Sequence, residues 1–141
     1  MAEVSILLVE DDAVDVKTVK LALRQLKIAN PLICAGDGIE ALEILRGENG
    51  REKLRHPYII LLDLNMPRMD GLEFLDELRR DPSLQRSVVI VMTTSAAEED
   101  RFRAYDKHVA GYVLKHSAAR SFLETVTMLD CFWRVIEFPE Q

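Results

Sequence analysis

A chain of 141 residues, 48% hydrophobic and 30% charged, is long enough for one domain with a buried core and shows neither disordered nor fibrous composition. Its net charge of −6 argues against nucleic-acid binding by charge, and no run of basic residues supplies a local substitute. No apolar stretch reaches the roughly 18 residues of a membrane span, and Met1-Ala2-Glu3 is not the start of a signal peptide, so a cytoplasmic protein is expected.

Five short apolar runs alternate with segments of helical periodicity. Ile6-Leu7-Leu8-Val9 reads as the first strand, and Glu10, Asp11 and Asp12 follow it directly. Asp12 suits the N-cap of the next helix, in which Val16, Val19 and Leu23 recur at helical spacing beside Ala22 and Leu26. Leu32-Ile33-Cys34-Ala35, after Pro31, is the weakest strand signal. Gly36-Asp37-Gly38 is a turn that opens a second helix carrying Ile39, Leu42, Ile44 and Leu45 and stopped by Gly47. Tyr58-Ile59-Ile60-Leu61-Leu62 is the third strand, with Asp63 at its end. A third helix, opened by Asp70-Gly71 and closed by Asp81-Pro82, carries Leu72, Leu75 and Leu78. Val88-Val89-Ile90-Val91-Met92 is the fourth strand, followed by Thr94-Ser95 and a fourth helix. Tyr112-Val113-Leu114 is a short fifth strand before Lys115, and a last helix spans about 119–136.

Continuous aliphatic runs indicate strands covered on both faces, as in a parallel sheet. Five strand–helix alternations predict a doubly wound, five-stranded α/β domain with helices on both faces, whose ligand site lies beyond the carboxyl ends of the strands. Those ends carry Glu10, Asp11, Asp63, Thr94 and Lys115. Cys34 and Cys131 lack metal-ligand spacing and are expected to be buried hydrophobes. His56, His108 and His116 are expected at the surface or in loops.

Crowded carboxylates repel one another, and a hard divalent cation relieves the conflict. Magnesium fits an all-oxygen set of Asp11 and Asp63 as direct ligands, with Glu10 reaching the ion itself or through a water and the Asn65 backbone carbonyl completing the shell, and Mn²⁺ could replace it. Asp63 then attacks phosphorus while the cation, the Lys115 ammonium and the Thr94 hydroxyl neutralise the transferred oxygens. Thr94 drawn toward the new charge would leave a space that Tyr112 could fill, which makes these two residues a candidate switch.

Leu8-Val9-Glu10-Asp11-Asp12, the segment from Leu61 through Asp63-Leu64-Asn65-Met66-Pro67-Arg68-Met69-Asp70-Gly71, Thr94-Ser95 and Tyr112-Val113-Leu114-Lys115 resemble the receiver domain of two-component response regulators. The resemblance covers nearly the whole chain, 1–141, as one domain of the flavodoxin-like, receiver type. It implies that Asp63 accepts phosphate from a histidine kinase or phosphotransfer protein. Arg103-Ala104-Tyr105-Asp106-Lys107-His108 and the segment Cys131 to Pro139 are similar to single-domain regulators that accompany bacterial phytochromes, which implies a bacteriophytochrome-type kinase as donor. His116 stands where most receivers have proline after the lysine, leaving open whether the Lys115–His116 bond is cis.

Phe122, Val126, Leu129, Trp133 and Ile136 form one apolar stripe on the last helix. Phe132, Val135 and Phe138 widen it beyond what one face needs, which predicts a homodimer through residues 130–141, with Phe132, Trp133, Val135 and Phe138 at the interface. The competing reading is a magnesium-dependent phosphatase or phosphotransferase working through an aspartyl phosphate. Haloacid-dehalogenase-like enzymes of that kind use Asp-x-Asp, and Asn65 here occupies the place of the second, proton-handling acid. A phosphoryl acceptor rather than a turnover enzyme is therefore expected.

Overall fold

The computed structural model describes residues 4–25, 27–93, 103 and 106–114. Its centre is a sheet of five parallel strands, β1 (Ser5–Val9), β2 (Leu32–Ala35), β3 (Tyr58–Leu62), β4 (Val88–Thr93) and β5 (Gly111–Leu114), in the order β2-β1-β3-β4-β5. Three helices are described: α1 (Ala13–Gln25), α2 (Gly38–Arg46) and α3 (Gly71–Arg80). The expected fourth and fifth helices fall outside the described residues.

Side chains alternate across the strands and build two cores. Leu7, Val9, Ile60, Leu62, Val89 and Val91 face α2 and α3, meeting Leu42, Leu45, Phe74, Leu75 and Leu78. Ile6, Leu8, Ile59, Leu61, Ile90 and Met92 face the other way, toward Val19, Ala22 and Leu23 of α1. Helices thus cover both faces, and the central strands β1 and β3 are buried throughout apart from Ser5. This is why they read as continuous apolar runs.

The turn chemistry follows the sequence. The Asp12 carboxylate accepts the Val14 N–H at 2.8 Å and caps α1. Asp37 caps α2 by accepting the Glu40 N–H at 2.9 Å, and Gly47, at φ +70°, ends that helix in the left-handed conformation glycine adopts without strain. Asp70 and Glu73 form a reciprocal capping box at the start of α3. Strand limits differ from the apolar runs by a residue or so, because backbone pairing sets them: Ser5 aligns with Tyr58, and Gly111 with Ile90.

One expectation fails. Cys34 is exposed, not buried. β2 is an edge strand, and Leu32, Ile33 and Cys34 all keep solvent contact there. Burial from both sides holds for β1 and β3 and gives out at the sheet margin. Cys131 lies outside the described residues. His56 and His108 are exposed as expected, with the His56 ring stacked on Tyr58 at 4.5 Å between centroids.

Candidate functional site

The strand order reverses direction between β1 and β3: the chain leaves β1 to one side for β2 and returns to its other side for β3. In open α/β sheets the crevice at such a point, beyond the carboxyl ends, is where ligands bind. The ladder continues there by one residue on each strand. The Glu10 N–H donates to the Ala35 carbonyl at 2.9 Å, and the Asp63 N–H donates to the Val9 carbonyl at 2.9 Å. Two acidic residues are therefore held side by side by main-chain bonds.

Glu10 is 4% exposed and Asp63 is 5% exposed, while Asp11 stands open to solvent. One carboxylate oxygen from each of the three lies within 4.8 Å of the other two. At an effective dielectric near 20, two unit charges at that separation repel by about 3 kcal/mol. Three oxygen donors on one side of a crevice, with room on the Asp11 side for water, match the needs of a hard divalent cation that keeps part of its hydration shell. Glu10 also accepts the Asp12 N–H at 3.1 Å, which orients its carboxylate while Asp12 turns away to cap α1.

The loop from Asp63 to α3 is tied down along its length. The Gly71 N–H donates to the Leu64 carbonyl at 3.0 Å, and the Gly38 N–H donates to the Met69 carbonyl at 3.2 Å. A Cβ on Gly71 would stand 2.5 Å from the Asp63 carbonyl oxygen and 2.6 Å from the Leu64 Cα. Glycine is therefore required by the close approach of α3 to the end of β3. Arg68 takes a left-handed φ of 62°, uncommon for a residue with a side chain. Its guanidinium reaches the Asp37 carboxylate at 2.6 Å. Burial alone would raise the Asp37 carboxyl. The Glu40 N–H and the Arg68 guanidinium outweigh burial and hold it below the ordinary carboxylate value.

This Asp37–Arg68 pair joins the β2–α2 turn to the Asp63 loop, and sequence reasoning missed it. Asp37 was recognisable as a turn residue and Arg68 as part of the Asp63 motif, but nothing in the spacing connects positions 31 residues apart. Of the predicted site residues, the structure brings Glu10, Asp11 and Asp63 together and places Asn65 exposed, two positions beyond Asp63. Tyr112 lies within β5, paired in register with Val91. Thr94, Lys115, Phe132, Trp133, Val135 and Phe138 lie outside the described residues.

Residues 6–127 match the response regulator receiver domain family. This chain belongs to that family. The receiver is 38% identical over 128 residues to Response regulator Rcp1 of Synechocystis, covering 91% of this chain and 87% of that protein. It superposes with a TM-score of 0.87 on the phosphorylated cyanobacterial phytochrome response regulator RcpA, at 35% identity, covering 99% of this chain and all of the other. The Mn²⁺-bound form of Rcp1 gives a TM-score of 0.84 at 36% identity, over 98% of the receiver and 99% of that chain. Similarity to phytochrome-associated regulators thus extends over nearly the full receiver and is not confined to the motifs around Asp63.

Proposed function

We propose that this receiver takes a phosphoryl group on Asp63 from the phosphohistidine of a histidine kinase, with a divalent cation held by Glu10, Asp11, Asp63 and the Asn65 carbonyl. The observation that carries the reading is the convergence of three carboxylates at the β1/β3 crevice, two of them buried and fixed by the sheet ladder. Glu10, Asp11 and Asp63 suit Mg²⁺ by donor type, and the Mn²⁺-bound relative supports a divalent ion at this kind of site. The cation supplies charge neutralisation for the phosphoryl oxygens and keeps Asp63 ionised.

In the transfer, an Asp63 carboxylate oxygen forms the new bond to phosphorus as the bond from the donor imidazole nitrogen to phosphorus breaks. The imidazole leaves with the electron pair and takes up a proton from solvent. Lys115 and Thr94 contact the remaining phosphoryl oxygens, and the acyl phosphate carries roughly −1.5 to −2 charge where Asp63 carried −1, so the rim gains at most about one negative charge. Thr94 and Tyr112 then convert that charge into a changed protein-interaction surface. Similarity to RcpA and Rcp1 supports a phytochrome-type kinase as donor, and the apolar end of the chain supports a homodimer through Phe132, Trp133, Val135 and Phe138.

Acetyl phosphate or beryllofluoride with Mg²⁺, applied to the wild type and to Asp63→Asn, tests the central step. The wild type is expected to gain phosphate, or its mimic, only when Mg²⁺ is present, and Asp63→Asn is expected to gain none. Equal behaviour of the two proteins, or no dependence on Mg²⁺, would remove the reading.

A further inference from the structure

At the amino end of the sheet, opposite the carboxylate crevice, one side chain of α3 bridges the approaches to two strands. The half-buried Arg79 guanidinium donates from Nη1 to the carbonyls of Gln85 at 2.9 Å and Ser87 at 2.7 Å, just before β4 begins. From Nε and Nη2 it donates to the carbonyls of Lys107 at 2.8 Å and His108 at 2.9 Å, just before β5. One turn earlier on α3, Asp76 forms an ion pair with Lys107. Four carbonyl oxygens offset the cost of placing a charged group in a poorly solvated position. Only a planar fork of fixed N–H directions can hold four acceptors at set relative positions, and lysine cannot reproduce it.

β5 is the strand that needs such a device. It is four residues long, stands at the sheet margin and starts at Gly111. Its described partner is β4 alone, reached by the Ala110 N–H to the Val89 carbonyl at 2.7 Å and by the register Ile90↔Gly111 through Thr93↔Leu114. A slip of one residue would carry it about 3.3 Å along and turn every side chain to the opposite face. Thr94 directly follows β4 in the sequence, and Lys115 directly follows β5.

We propose that Arg79, with Asp76 as its aid, is a positioning residue for phosphoryl transfer: it fixes the offset between the starts of β4 and β5, the two strands that Thr94 and Lys115 follow in the sequence. This rests on the phosphoryl-acceptor reading above and adds a residue at the other end of the sheet to it. The same contacts give a role to Lys107 of the Arg103–His108 motif, which the chemistry of the crevice leaves without one: its ammonium pairs with Asp76 of α3.

The test separates transfer from metal binding, since Glu10, Asp11 and Asp63 hang from β1 and β3 and not from the pinned pair. In Arg79→Gln and Arg79→Lys, the rate of phosphorylation by acetyl phosphate is expected to fall about tenfold or more, as misplacement of a reacting group by an ångström allows. The Mg²⁺ dissociation constant from titration calorimetry is expected to stay within about twofold. If Arg79→Gln does not fold, Asp76→Asn, which removes only the Lys107 pair, is expected to show the same split in smaller measure. Unchanged phosphorylation in a folded Arg79 variant, or in Asp76→Asn, overturns the inference, as does a loss of Mg²⁺ affinity in step with the rate. Wild type that accepts no phosphate would remove the acceptor reading itself, a different failure from wild type and Arg79→Gln reacting alike.

Discussion

Gly71 shows how a single backbone position governs the end of β3 at Asp63. With 2.5 Å between its would-be Cβ and the Asp63 carbonyl oxygen, Gly71→Ala must displace main chain. A loss of about 1–3 kcal/mol in urea unfolding is expected, as for overpacking of other close contacts, together with slower phosphorylation. Gly38→Ala meets Met69 Cγ at 2.8 Å and Sδ at 2.9 Å, on a side chain that can move, and the Phe74 Cβ at 3.0 Å, so with no main-chain atom in the way its effect is expected to be smaller. Equal losses for the two would mean that the Asp63 backbone is not the sensitive contact. Asp11 is the exposed member of the carboxylate group and adds to its repulsion, so Asp11→Asn is expected to leave stability without metal unchanged or slightly raised. It is also expected to weaken Mg²⁺ binding by about tenfold or more in calorimetry. At this scale the sequence was most informative, since charged residues directly after buried runs have few structural reasons to be there. Cys34 was misjudged because an apolar neighbourhood in sequence does not report whether a strand lies at the margin of its sheet.

Among the elements, α2 has the most to lose from one substitution. Asp37 caps the helix and also pairs with Arg68, so Asp37→Ala is expected to cost about 1–2 kcal/mol of stability. Asp37→Asn retains a good cap and gives up the ion pair, and with Arg68 largely exposed it is expected to cost well under 1 kcal/mol. The carboxyl titrates lower in the folded protein than in the unfolded chain, whose ordinary value is near 3.8. Unfolded protein therefore binds more protons through that window, and stability falls as pH falls. The Asp37 contribution is expected in full above about pH 5, shrinking as pH drops through the lowered value. Denaturation midpoints of wild type and Asp37→Asn should converge in acid, and parallel curves would assign the pH dependence elsewhere. Helix starts and stops were readable because caps are local. The Asp37–Arg68 and Arg79 contacts were not, because each joins segments whose meeting depends on the strand order.

For the molecule as a whole, strand count, parallel pairing and helices on both faces could be read from runs of buried residues. Phe74, a fully buried residue of α3, anchors the larger core, and Phe74→Ala is expected to cost about 3–5 kcal/mol in denaturant unfolding. Removal of residues 132–141 is expected to convert a dimer to a monomer in sedimentation equilibrium while the urea midpoint of the monomer unit stays near its original value. A dimer of unchanged mass would place the interface elsewhere. That measurement needs reductant, because the exposed Cys34 thiol can link two copies covalently.

The two rims of the sheet gather different kinds of group among the described residues. At the amino rim, Tyr58 and Ser87 share a hydrogen bond at 2.7 Å, His56 lies flat on Tyr58, and Arg79 occupies four carbonyls. At the carboxyl rim, three acids of one sign are held within 4.8 Å. On the phosphoryl-acceptor reading, a change of charge at Asp63 falls on the rim where like charges are crowded, while the opposite rim keeps its Arg79 and Tyr58 bonds.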